Sequence, residues 1–423
     1  MLIIYGALRL GGIETFFVRM ARERKKQGLT TKILLLDKPG TSNNELLDEM
    51  KCYAEVLYKK DIFKKTSIIP DKFVLLSKLD INKLSSVMDG INHIHIFDGH
   101  HALLANRFND IIGSKAIISV GFYHYMKFAW GGNKVKYYEK VHRDFVFNYL
   151  PNESLMFFST GIKDFYTSKF NNDFPSSNTF RMGVVDGNCC LSKDIDVIDD
   201  GLLKICSVGR LVAFKSYNLL MLDVVDSLLK DGINVQYDIY GDGPLEGKIK
   251  EKIQRLNLTG KVKLKGSIDY SSFNSKVASY DLFIGSGTAI IQASSLGVPS
   301  IVGVENMLEA KSYGYFSDIS HLEFNLKGLD SPMYHLLDLI KQYVNLDTEG
   351  KREVRKAHLE SVNPFRNDVC SNNMDAICNV DMPSKRFTYN QFFYELTRVI
   401  DSIHIKISSR HPRFSWMSGK VEL

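Results

Sequence analysis

Along the first half of the chain, short and nearly continuous apolar runs alternate with stretches whose apolar residues recur every three or four positions. The runs "MLIIYG", "TKILLLD", "AEVLY", "HIHIFD", "KAIISVGF" and "LMFFST" lack the in-and-out alternation of a half-exposed strand. They therefore predict strands of a parallel sheet covered on both faces. Between the first two, "IETFFVRMARERKKQG" places Ile13, Phe16, Phe17 and Met20 on one helical face and its arginines and lysines on the other, and Gly28 ends it.

The rhythm restarts after "RMGVVDGNCCLSKDIDVIDDG", a stretch rich in Asp, Gly and Ser without helical periodicity. "KICSVGRL", "VQYDIYGDG", "VKLKGSI", "DLFIGS" and "SIVGV" read as strands, and "SYNLLMLDVVDSLLKDG", "PLEGKIKEKIQRLNL", "SSFNSKVASY" and "AIIQASSLG" as the helices between them. The pattern predicts an α/β protein of two Rossmann-like, doubly wound domains, residues 1–185 and 200–385. Beyond residue 310 it loosens to two helical stretches, "SPMYHLLDLIKQYV" and "NQFFYELTRVIDSIHIKI". Residues 386–423 are taken as terminal helices able to pack back on the first domain.

Length agrees with two domains, since 423 residues exceed the roughly 250–300 that one core serves. No apolar run approaches the roughly 20 residues that span a bilayer. The first strand runs into glycine without a basic and then apolar leader, and six cysteines show no CxxC pair. A cytoplasmic protein with reduced thiols is expected. The net charge of +6 is gathered in "RERKKQG", "YKKDIFKKTS" and "KISSRHPRFSW". These clusters are either solvated helix faces or contacts to an anionic membrane surface, and no nucleic-acid partner is expected. Lys127, Phe128 and Trp130 in "MKFAWGG" suit either a membrane-facing lip or a loop buried over the sheet.

Ligands of open α/β sheets bind beyond the carboxyl ends of the strands, so the strand-ending loops carry the candidate chemistry. In "LRLGGIET", Gly11 and Gly12 allow close backbone approach at a helix start. In "ICSVGRLVAFKSYNLLM", Arg210 and Lys215 can grip a diphosphate, one through a planar fork and one as a point charge. In "DLFIGSGTAIIQASSLGVP", Gly285, Ser286, Gly287 and Thr288 lead into a helix from about Ala289, and the Gln292 amide one turn inside can reach two ribose hydroxyls. His93, His95, His100 and His101 have Asp98 as their one acidic neighbour, so they read as strand-end residues lining an acceptor side rather than as a metal site. The "DID" of Asp194 to Asp196, a metal-binding pair in outline, reads as solvated linker.

Five ordered motifs now stand together: Val208-Gly209-Arg210 with Lys215, Gly241-Asp242-Gly243-Pro244, Gly266-Ser267-Ile268, Gln292-Ala293 and Gly297-Val298-Pro299. This half resembles the donor-binding domain of GT-B glycosyltransferases, specifically the retaining family 4, glycosyl transferases group 1. The first half resembles it through "GGIET" and "FYHYM". The resemblance implies two domains facing a cleft, with Arg210 and Lys215 holding the donor's diphosphate as it leaves and His124 facing the donor sugar. It implies donor contacts from Gly12, Gly209, Gly241, Ser267, the main chain near Ile268, Ser286, Gly287, Thr288 and Gln292. It implies no bound metal and no cofactor, because the donor, a UDP- or GDP-sugar, is a substrate.

The implied acceptor is a saccharide or lipid-linked hydroxyl, as in surface polysaccharide synthesis at the inner face of a membrane. The sequence departs from the family where two glutamates separated by seven residues are usual. The first has no counterpart here, and the second is Gln292. Three alternatives stay open: a non-catalytic sugar-nucleotide-binding protein, a GT-B epimerase needing acid and base groups around the sugar, and a phosphorylase releasing sugar phosphate.

Overall fold

The computed structural model describes residues 1–64, 73–123, 127–129, 131, 135–187, 201–322, 324–377, 380–408 and 411. It divides into two compact units. One holds Met1–Gly183 with the described residues from Asp368 on, and the other holds Val184–Asn367.

Seven parallel strands make the sheet of the first unit: β1 (Leu2–Tyr5), β2 (Lys32–Leu35), β3 (Glu55–Tyr58), β4 (His93–Ile96), β5 (Ile117–Phe122), β6 (Leu155–Phe157) and β7 (Asn178–Thr179). Their order is β3-β2-β1-β4-β5-β6-β7. Every residue of β1, β4, β5 and β6 is buried, which is what continuous apolar runs require of strands covered on both faces. β7 escapes the sequence pattern because it is two polar residues long. The strand order reverses between β1 and β4, opening a crevice beyond Gly6 and Asp98.

The second domain, expected to reach residue 385, gives way to the first unit at Asp368. The cause is the helix Asn367–Asp375, which buries Cys370 and Met374. It also meets the helix Gly12–Lys26 through an Arg24–Asp375 ion pair and a 2.9 Å hydrogen bond from Gln27 Nε2 to Asn372 Oδ1. The helix Gln391–Ile407 lies in the same unit, with Tyr394 fully buried against His100 and His142.

The second unit repeats the winding with β8 (Leu203–Val208), β9 (Val235–Tyr240), β10 (Val262–Gly266), β11 (Leu282–Gly285) and β12 (Ser300–Val302), all parallel and ordered β10-β9-β8-β11-β12. Met221, Leu222, Val225 and Leu228 of the helix Tyr217–Lys230 share one core with Ile205, Tyr237 and Ile239. Two strands of two residues each, β13 (Lys311–Ser312) and β14 (Tyr334–His335), pair antiparallel; the helix expected from Ser331 therefore begins only at Leu336. The crevice of this sheet opens between β8 and β11. Among the described residues no helix is long and apolar enough to cross a membrane.

Candidate functional site

At the edge of the second sheet, three loops after β8, β9 and β10 interlock through their main chains. The Gly209 N–H donates to the Tyr240 carbonyl at 3.0 Å, the Leu211 N–H to the Asp242 carbonyl at 2.7 Å, and the Gly241 N–H to the Gly266 carbonyl at 2.8 Å. The loops approach so closely that only glycine fits at two positions. A Cβ on Gly241 would overlap the Gly209 carbonyl oxygen, and one on Gly243 would overlap the Leu211 carbonyl oxygen; both residues also hold positive φ, 136° and 147°. Ser267 Oγ donates to Asp242 Oδ2 at 2.6 Å, tying in the third loop, while the Ile268 side chain is buried.

This platform fixes the two expected cations. Arg210 is exposed and makes no ion pair with any described residue. Lys215 turns back over the start of its own loop: a Cβ on Gly209 would lie 3.0 Å from its ammonium nitrogen. A planar guanidinium and an ammonium thus stand at the switch point of the sheet, where an anion is held best.

The loop after β11 is more occupied than the sequence suggests. Ser286 is buried, with its hydroxyl 3.5 Å from that of Tyr217. The Gly287 N–H donates to Asn325 Oδ1 at 2.9 Å rather than pointing at open space. The helix behind it, Thr288–Ser294, is seven residues long, and Gln292 within it donates from Nε2 to Asn274 Oδ1 at 2.8 Å. Glycines, Thr288 and Gln292 are therefore brought to one edge, but part of their hydrogen-bonding capacity is spent within the protein.

Sequence reasoning missed Glu305. It follows β12 in "VGVENM", and its loop is held to the cation loop because the Asn306 N–H donates to the Phe214 carbonyl at 2.8 Å. Burial pushes the Glu305 carboxyl up to about 7, against the pull of the nearby Lys215 ammonium. A carboxyl shifted toward neutral pH by burial, beside one of the two expected cations, makes Glu305 a further candidate for the site. The available signal was a glutamate in a strand-ending loop; nothing in the sequence shows that Lys215, ninety residues earlier, is its neighbour.

In the first unit Gly12 opens the helix Gly12–Lys26 as expected, and Glu14 folds back over that turn, accepting from the Tyr5 hydroxyl at 3.1 Å. His124 and Trp130 lie outside the described residues. His93 and His95 do not line a cleft. Both are buried in the sheet and share Ser119 Oγ at 2.6 and 2.8 Å, and burial lowers both, His95 to about 3. His100 and His101 do line a cavity of about 490 Å³ beyond β1, β2 and β4. There burial pushes the Asp98 carboxyl up, but His101, Lys127, the His101 N–H and His100 outweigh it and hold it well below the usual carboxylate range. At Phe128 and Lys127 the structure follows the buried-loop alternative rather than the membrane-facing lip. Phe128 is 1% exposed and packs on Phe122, while Lys127 sits over the Phe97 ring and 3.5 Å from Asp98.

Residues 192–309, which carry the interlocked loops, match the family model described as glycosyl transferases group 1. No curated protein matches the chain. Several solved structures are similar to it. HepE of Anabaena, in complex with UDP and glucose, is 12% identical with a TM-score of 0.60, over 89% of this chain and 98% of its own. A glycosyltransferase from Rickettsia africae ESF-5 is 15% identical with a TM-score of 0.62, over 89% and 97%. The lipopolysaccharide outer core galactosyltransferase WaaB is 15% identical with a TM-score of 0.52, over 89% and 99%. These likenesses establish the fold as GT-B.

Proposed function

Because the protein is a glycosyltransferase with the GT-B fold, we propose that it moves a sugar from a nucleoside diphosphate donor to a hydroxyl of a saccharide or lipid-linked acceptor. Arg210 and Lys215 grip the diphosphate. The observation that carries this reading is that one glycine-locked loop at the sheet's switch point carries both the exposed Arg210 and Lys215, whose ammonium lies over Gly209. Breaking the bond from sugar to phosphate puts negative charge on the departing oxygen, and cations already in place stabilise that charge more than they stabilise the bound donor. The main chain at Ile268 takes the base, Gln292 the ribose, and Gly12 and His124 the phosphate and sugar contacts that the resemblance gives them.

Nucleotide binding tests this directly. UDP or GDP, with UDP first because the HepE complex holds it, raises the melting temperature, whereas ADP does not. A ligand at 100 times its Kd stabilises by about 2.7 kcal/mol. The absence of a shift with all three rejects the donor site.

Glu305 supplies the carboxylate that the family's missing first glutamate would give. Its folded pKa lies above its ordinary value near 4.5. The charged form therefore costs the folded state stability as pH rises through about 7, and costs nothing below the unfolded value. Glu305→Gln should accordingly raise stability above pH 7 by about 2–4 kcal/mol while lowering turnover and flattening its pH profile. Unchanged turnover would remove Glu305 from the site.

The acceptor is proposed to be lipid-linked, as in surface polysaccharide assembly at a cytoplasmic membrane face. The support is an exposed apolar stripe on the helix Gln391–Ile407, where Phe392, Leu396, Ile400, Ile403 and Ile407 share one face at 39–79% exposure. Such a face suits reversible binding in the interface, and the basic clusters "RERKKQG" and "YKKDIFKKTS" of the sequence would add about 1 kcal/mol for each residue that reaches an anionic surface. Wild-type protein should pellet with anionic vesicles at low salt, and the Ile400→Glu, Ile403→Glu variant should stay in solution. If neither protein pellets, the membrane reading fails.

A further inference from the structure

On the other face of that helix, we propose that Asp401, His404 and His411 form a binding site for one divalent first-row metal ion such as zinc. One carboxylate oxygen and one nitrogen from each imidazole all lie within 4.8 Å of one another. Asp401 and His404 are three residues apart on the helix, hence on one side of it. The Ser408 N–H donates to the His404 carbonyl and the His411 N–H to the Ser408 carbonyl, which holds His411 near the pair.

The dimensions suit an ion. Asp401 Oδ1 is 3.2 Å from His411 Nε2, against about 3.3 Å for the edge of a tetrahedron with metal–ligand bonds of about 2.0–2.1 Å. The His404 and His411 rings are perpendicular with centroids 5.0 Å apart, so neither stacks on the other. Asp401 Oδ2 accepts from the Tyr138 hydroxyl at 2.7 Å, which fixes the carboxylate as an outer hydrogen-bond partner does in metal sites. Asp401 and His411 are both buried, 4% and 9% exposed. Without an ion the buried Asp401 carboxylate is met by the Tyr138 hydroxyl and by His411 Nε2, and a dication would take the place of the imidazole proton between Asp401 and His411. Mixed nitrogen and oxygen ligands of this kind favour zinc and its neighbours over calcium or magnesium. Water completes the coordination, and the ion closes the chain from Asp401 to His411 as a structural clasp.

The test uses the full chain stripped by a chelator and titrated with zinc by calorimetry and with cobalt by visible absorption. One equivalent should bind, giving cobalt d–d absorption without the thiolate charge-transfer band that a cysteine site adds. His404→Ala and His411→Ala should each abolish that equivalent while keeping the wild-type circular dichroism. If a variant loses its fold, zinc protection of His404 and His411 in the wild-type protein against diethyl pyrocarbonate, mapped by mass spectrometry, reads the same site. No bound metal, a thiolate spectrum, binding unchanged in both variants, or no protection overturns the proposal.

Discussion

Arg210→Ala and Lys215→Ala should each lower turnover by about 10²-fold or more, with the folded state intact. Arg210 is exposed and makes no ion pair with any described residue, so its removal leaves no buried charge behind. Lys215 lies over Gly209, and shortening it opens space without disturbing the main-chain bonds among the loops. The loss should fall on kcat, because the charge that these cations oppose grows as the bond to the sugar breaks. Lys215→Ala has a second consequence. Without the ammonium that pulls it down, Glu305 rises further above about 7, and the pH profile of the residual activity moves to higher pH. Full turnover in both variants, under conditions where the wild type is limited by chemistry, would contradict the role given to them.

Gly241→Ala should be the most damaging single methyl group in the second unit. The new Cβ would overlap the Gly209 carbonyl oxygen, a main-chain atom that cannot rotate away, and the residue already holds φ at 136°. Strain of this kind costs about 2–4 kcal/mol, read as a lower denaturant midpoint. Activity should fall as well, because Gly209 seats Lys215. Gly247→Ala is the control. It lies in the helix Glu246–Arg255 with nothing within 4 Å of its Cβ position, so it should be neutral or stabilising by about 0.4–1 kcal/mol. A cost below about 0.5 kcal/mol for Gly241→Ala would mean that the loops are not packed as described.

The central strands of both sheets were legible because strands buried on both faces must be apolar at every position, and "MLIIYG" and "DLFIGS" have no other use for such runs. What stayed hidden depends on partners distant in sequence. His93 and His95 look like a cluster at a strand end. Ser119, 26 and 24 residues further on, instead satisfies them inside the sheet. The return of the chain at Asp368 is set by Arg24 and Gln27, nearly 350 residues earlier, and no local pattern announces it. In the site, the motifs identified the glycine loops and the cations. They did not reveal that Asn325 and Asn274 engage Gly287 and Gln292, because each pairing joins loops that only the fold brings together. Phe128 shows the same limit from the other side. An aromatic beside a lysine suits a membrane lip or a core, and the neighbouring Phe122 and Tyr166 decide for the core.

The central claim is nucleotide-sugar-dependent transfer at the Arg210 and Lys215 edge. Its most direct test is release of nucleoside diphosphate from a panel of UDP- and GDP-sugars, with and without a lipid-linked saccharide pool, by wild-type protein and by the Arg210→Ala, Lys215→Ala double variant. The expected result is release from one donor class that the saccharide pool accelerates and the double variant lacks. Release at the same rate from wild type and double variant, or no release from any donor while the nucleotides still bind, would contradict it.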